Sequence, residues 1–149
     1  MDLVLRQVRL AQAAALTAAM ELEMQQLYGG EGGGPLCPSD FDSPPGVFLL
    51  AERDRRALGC GGLRPLAAGR VELKRMYVEP QARGQGVGRL LLLELVDRAK
   101  AGGLRQIWLE VGTEQPAAVG LYLSEGFTPI PSYGDFKGEP MARCFGLEL

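Results

Sequence analysis

Histidine is absent from all 149 residues. That excludes a histidine-based catalytic triad, a histidine-ligated metal and imidazole acid–base chemistry. Cysteine is scarce: Cys37, Cys60 and Cys144 are odd in number and widely spaced. Such spacing argues against a disulfide framework and against zinc ligation, so no metal is expected and a reducing cytoplasm is the default setting. No apolar run reaches the ~18 residues that a membrane span requires. The opening MDLVLRQVRL lacks the basic-then-apolar order of a signal peptide. Charge of one sign is also missing. Sixteen Lys and Arg against 18 Asp and Glu leave a net charge of −2, with no basic run, so nucleic acid is not an expected partner. What remains is an ordinary globular profile, 46% hydrophobic and 23% charged, suited to one domain over residues 1–149.

The stretch from Glu72 to Leu95, ELKRMYVEPQARGQGVGRLLLLEL, organises the rest. A strand pattern over Arg70 to Val78 meets a turn at Glu79-Pro80. Arg83 and three alternate glycines, Gly84, Gly86 and Gly88, then lead into a leucine-rich helix from about Gly86 to Ala101. The first backbone N–H groups of a helix have no intrahelical partner, and the helix dipole favours an anion there. Glycine lets backbone approach a phosphate with no Cβ in the way. The arrangement predicts a pyrophosphate cradle. It is a poor dinucleotide fingerprint, because the third glycine position holds Arg89, and no Gly-Lys-Ser/Thr follows for a nucleotide phosphate loop.

Upstream, Leu3 to Val8 reads as a short strand and Arg9 to Leu27 as a helix. Its apolar face is Leu10, Ala13, Ala14, Thr17, Met20, Met24 and Leu27. Residues 29–46 hold too many Gly and Pro for a regular element, beyond a short turn near Ser39 to Phe41. Val47 to Arg53, Ala57 to Pro65 and Arg70 to Val78 are spaced as an antiparallel meander. Downstream, Arg105 to Val111 closes a strand–helix–strand crossover and so runs parallel to the Arg70–Val78 strand. A helix over Thr113 to Glu125 with Thr113 as N-cap, a strand over Phe127 to Ser132 and a last strand over Met141 to Leu149 complete the chain. Leu91, Leu92, Leu95, Val96 and Ala99 form the core face of the leucine-rich helix. Leu90 and Leu93 fall off that face and leave room for a second copy of the chain, a homodimer.

The turn matches Gln/Arg-x-x-Gly-x-Gly/Ala as Arg83-x-x-Gly86-x-Gly88. A second block, LEVGTEQPAAVGLYLSEGF, carries Ala118, Leu121, Tyr122, Gly126 and Phe127 in family order. On these two blocks the sequence resembles the GCN-five-related N-acetyltransferases, the GNAT superfamily. Gln115 stands where that family has Asn, and it keeps the amide. The resemblance implies a single α/β domain. Its mixed central sheet would join an antiparallel meander to a parallel strand pair splayed at the cofactor site, with helices on both faces. It implies acetyl-CoA as cosubstrate, with backbone groups of Met76, Tyr77 and Val78 binding the pantetheine arm. Amides across Arg83, Gly84, Gln85, Gly86, Val87 and Gly88 would hold the pyrophosphate, with Gln115 and Tyr122 also at the cofactor.

The implied reaction moves an acetyl group directly to a primary amine of a small molecule or peptide. Deprotonating a lysine-like amine at pH 7 costs about 4.6 kcal/mol, so a base is useful. Glu72, six residues before Val78, resembles the family's general base; the alternative is a strand carboxylate paired with Lys74 on the same face. Glu110 is the rival. Tyr122 resembles the tyrosine that protonates the departing thiolate. Acceptor walls are expected from Tyr28 and the 29–46 loop, the Gly59–Gly62 strand and the Tyr133–Glu139 loop. A non-catalytic CoA-binding sensor is the alternative reading, and a nucleotide-dependent oxidoreductase is disfavoured by Arg89.

Overall fold

The computed structural model describes residues 2–29 and 36–149. One sheet of seven strands forms its centre, in the order β1-β2-β3-β4-β5-β7-β6. The meander is β1 (Val4–Gln7), β2 (Val47–Arg53), β3 (Arg56–Ala67) and β4 (Arg70–Val78), each antiparallel to its predecessor. Helix α2 (Val87–Ala101) crosses over to β5 (Gln106–Gly112), which pairs parallel with β4. Helix α3 (Pro116–Ser124), β6 (Thr128–Ile130) and β7 (Ala142–Glu148) follow, and β7 inserts antiparallel between β5 and β6.

Helices cover both faces. On one face α2 buries Leu91, Leu92, Leu95, Val96 and Ala99, as the periodicity predicts, against Leu49, Val71 and Ile107; Tyr122 of α3 joins the same core. On the other face, helix α1 (Ala14–Tyr28) contributes Leu16 to a smaller core with Phe41, Phe48 and Tyr77. The expected apolar face of α1 is only partly borne out. The segment opens as a 3-10 turn over Leu10–Ala13, Leu16 is buried, and Leu27 stays 42% exposed. Thr113 does not cap α3. Its N–H donates to the Met141 carbonyl at 2.9 Å, and the helix starts after Gln115 with Pro116 in its first turn, where a missing N–H costs nothing. Prolines 129 and 131 shorten the expected Phe127–Ser132 strand to β6. Of the long 29–46 loop, residues 30–35 lie outside the described residues, while Pro38–Phe41 forms a 3-10 turn that buries Phe41.

Two irregularities of β4 position the site. Lys74 faces Gly62 and Tyr77 faces Cys60 on β3, so Arg75 and Met76 together oppose the single residue Gly61. This is a β-bulge, with Arg75 at φ 59°. The extra residue reverses the alternation of sides. Val71 and Leu73 face the α2 core before the bulge, Met76 and Val78 face it afterwards, and Tyr77 turns to the α1 side. Gly61 leaves the room that the Met76 side chain fills, and a Cβ there would displace its sulfur. The second irregularity is a short seam: β4 and β5 pair only at Arg70↔Gln106, Val71↔Ile107 and Glu72↔Trp108. Beyond it the strands part.

Candidate active site

The gap between the parted strands is a cleft of about 440 Å³. Leu73, Lys74, Arg75 and Met76 of β4 form one wall and Leu109, Glu110, Val111 and Gly112 of β5 the other. Gln115, just before α3, and Ala118 and Tyr122 of α3 also line it. Met20, Met24 and Tyr28 of α1 close one side, and Asp135, Phe136, Glu139 and Met141 from the loop after β6 close another. Tyr28 reaches across to β5, where its hydroxyl accepts a hydrogen bond from the Glu114 N–H at 3.0 Å. It packs so closely on Gly112 that any Cβ there would collide with its ring.

Tyr122 is 6% exposed, and its hydroxyl forms no hydrogen bond among the described residues. Burial, then the nearby Glu110 charge, pushes its phenol above the usual range, so the O–H persists as a donor at neutral pH. Glu110 likewise makes no ion pair among the described residues. Burial raises its carboxyl above the ordinary value, partly opposed by the Lys74 charge. Lys74 is 8% exposed, and burial lowers its ammonium from the ordinary value while Glu72 acts the other way.

Glu72 is placed differently. It is 1% exposed and lies outside the residues that line the cleft. Arg64, its cross-strand partner on β3, donates to Oε1 at 2.8 Å, and the Tyr133 hydroxyl donates to Oε2 at 2.6 Å. The anticipated pairing with Lys74 is therefore replaced by Arg64, which sequence spacing within one strand does not reveal. Tyr133 also packs on Trp108 and Phe136, with ring centroids 5.1 and 5.8 Å away, so Glu72 fastens the loop that carries Phe136 into the cleft. The Gly59–Gly62 segment, anticipated as an acceptor wall, does not line the cleft; its glycines make room for Met76, Phe48 and the α2 side chains Val87 and Leu91.

The glycine turn sits at the far end of β4. Gly84 and Gly86 have φ of 77° and 84° with open space where a Cβ would stand, and Gly86 is the residue before α2. Backbone N–H groups from Gly84 to Gly88 donate none of the turn, loop or cap hydrogen bonds among the described residues. Free amides at a helix start suit an anion. Val87 is buried in the core, which anchors the turn. The Arg83 side chain points elsewhere: it donates to the Val78 carbonyl and, in a two-pronged pair at 2.9 and 3.1 Å, to Glu23 of α1. The Gln85 side chain accepts from Arg53 and donates to the Gln81 carbonyl, leaving its backbone amide free for a ligand. Arg89 pairs with Glu125 and Ser124 and so ties α2 to α3, a packing role that glycine would not fill.

A sheet opened between parallel strands, with an unbonded phenol in the opening and free amides at a helix start beyond the end of β4, suits a class of long ligand that carries an anionic group. Comparison with known proteins narrows that class. The acetyltransferase (GNAT) family model matches residues 15–127. An IAA acetyltransferase of Azospirillum brasilense is 34% identical over 128 residues, covering 85% of this chain and 84% of that protein. Among solved structures, an acyl-CoA N-acyltransferase of Klebsiella pneumoniae shares 26% identity with a TM-score of 0.83 over 99% of this chain and 97% of that one. The PaiA N-acetyltransferase of Thermoplasma acidophilum, solved in complex with coenzyme A, has the same fold. Its identity is 18% and its TM-score 0.73, with all of both chains covered. The chain belongs to the acetyltransferase (GNAT) family, whose members are acyl-CoA-dependent N-acyltransferases.

Proposed function

We propose that the protein transfers the acetyl group of acetyl-CoA directly to a primary amine of a small molecule or peptide. The observation that carries this reading is the joint bulge and splay of β4, which leaves Leu73–Met76 lining the cleft before the strand runs on through Tyr77 and Val78, outside that lining, to the glycine turn; backbone of Met76, Tyr77 and Val78 is the proposed track of the pantetheine arm. The residues present fit acetyl-CoA. The Gly84–Gly88 amides suit its pyrophosphate, the parted strands suit an extended arm, and Gln115 and Tyr122 meet that arm's reactive end. When bound, acetyl-CoA supplies an activated acyl thioester.

The chain's own groups do the rest. In this reading, amides near Met76 polarise the carbonyl oxygen. Tyr122 donates its proton to the departing sulfur as the amine nitrogen takes the acyl carbon. Of the two carboxylates, Glu110 opens on the cleft, whereas both oxygens of Glu72 are already engaged. We therefore give Glu110 the amine proton and give Glu72 the task of holding Tyr133 and its loop. The reading also places the protein in the cytoplasm, where Cys37, Cys60 and Cys144 remain free thiols. It leaves the exposed Leu90 and Leu93 for a second copy of the chain, which a monomer mass in solution would remove.

The direct test is thiol release from acetyl-CoA across a panel of amines. Turnover with any member supports transfer. Tight acetyl-CoA binding with no release from any amine favours a CoA-binding sensor instead.

A further inference from the structure

We propose that the acceptor is a zwitterion, an amine with a carboxylate close to it, and that Lys74 receives that carboxylate. The proposal rests on the acetyl-transfer reading and names the class of its acceptor.

Lys74 is a largely buried residue whose ammonium makes no ion pair or hydrogen bond among the described residues. It lines the cleft. The carboxylate two residues away on its own strand is spent, because Arg64 and Tyr133 occupy both oxygens of Glu72. The Phe136 ring, 5.4 Å from Nζ, lies at the outer limit of a cation–π contact and offers no hydrogen-bond acceptor. The cleft shields the Lys74 ammonium from much of the solvent, so an anion delivered by the ligand gains more there than at a fully solvated lysine.

Arg75 of β4 also lines the cleft, and the other charged residues of the wall are acids. Glu110 faces the same space from β5, and Asp135 and Glu139 stand exposed at the rim. A dianion such as a phosphate ester meets Asp135 and Glu139 at the rim and Glu110 within. A simple amine leaves Lys74 uncompensated. A molecule with an ammonium for Glu110 and a carboxylate for Lys74 satisfies both walls, and free amino acids have that chemistry. A peptide N-terminus lacks the neighbouring carboxylate.

Steady-state thiol release with acetyl-CoA tests this on matched sets: amino acids, their amides, and the decarboxylated amines with the same side chains. The amino acid is expected to exceed its amide and its amine in kcat/KM by about 10- to 100-fold, the worth of a charge-assisted hydrogen bond, mainly through KM. Lys74→Met brings that ratio down toward one, and Lys74→Arg keeps most of it. A melting-temperature rise with acetyl-CoA confirms that each variant is folded, with Lys74→Gln as the substitute should the Met variant fail. Equal rates on acid, amide and amine in the unaltered protein overturn the assignment alone, as does a preference that survives Lys74→Met. Acetylation recovered on Lys74 itself also overturns it. Silence with every acceptor overturns the transfer reading and this assignment with it.

Discussion

Removing one oxygen from Tyr122 separates its chemistry from its packing. The ring is buried against Phe127, centroids 5.7 Å apart, but the hydroxyl bonds to nothing among the described residues. Tyr122→Phe should therefore leave melting temperature and acetyl-CoA binding nearly unchanged while lowering kcat about 100-fold or more. Unchanged turnover would take Tyr122 out of the mechanism. Glu110 makes a pH prediction. A base works deprotonated, and burial raises this carboxyl above its ordinary value, so the rate should fall on acidification through that raised value. Glu110→Gln should lose most of the rate and this acidic limb; an intact limb would return the base role to Glu72. The resemblance singles out both residues, Glu72 by its offset from Val78 and Tyr122 by its place in the second block. Neither Arg64 on Glu72 nor the isolation of Lys74 is legible in the sequence, because both follow from cross-strand register and from a loop about sixty residues downstream.

Elements are legible where their cause is local. The α2 face follows from periodicity and the glycine turn from spacing, and the structure has both. The β4 bulge shows in the sequence only as a change of phase, with Val71 and Leu73 apolar before it and Met76 and Val78 after it, which reading Arg70 to Val78 as one regular strand passes over. Its cause is visible once β3 lies beside it, with Gly61 accommodating Met76. Helix α1 departs from its periodicity because part of it borders the cleft, where Met20, Met24 and Tyr28 meet open space instead of core. Glycine also gives an element-scale prediction. Gly120 lies inside α3, exposed, with no atom within 4 Å of the point where a Cβ would stand. Gly120→Ala should stabilise the protein by up to about 1 kcal/mol through helix propensity. Thermal unfolding would show a rise of about 2–4 °C, and a fall would mean that the open face of α3 is needed by a ligand or a partner.

At the scale of the molecule, ligand and fold share one structure. Acetyl-CoA at 100 times its Kd should add about 2.7 kcal/mol to stability. For a chain of this size that raises the melting temperature by about 5–10 °C. NAD and ATP should give no comparable rise, and an equal rise with either would point to a generic phosphate site. The three-residue seam between β4 and β5 has a consequence for what can enter. Past Glu72 the sheet has an internal edge, a rank of backbone donors and acceptors sheltered between its own two halves and closed to the foreign strands that trouble an outer edge. Neighbouring strands lie about 4.8 Å apart, so a gap of one missing strand admits only a thin, unbranched guest able to hydrogen-bond along its length. Such a guest would finish the sheet. Amide hydrogen exchange over Leu73–Val78 should slow when it is bound and quicken when it leaves, making the protein's own backbone the gauge of occupancy.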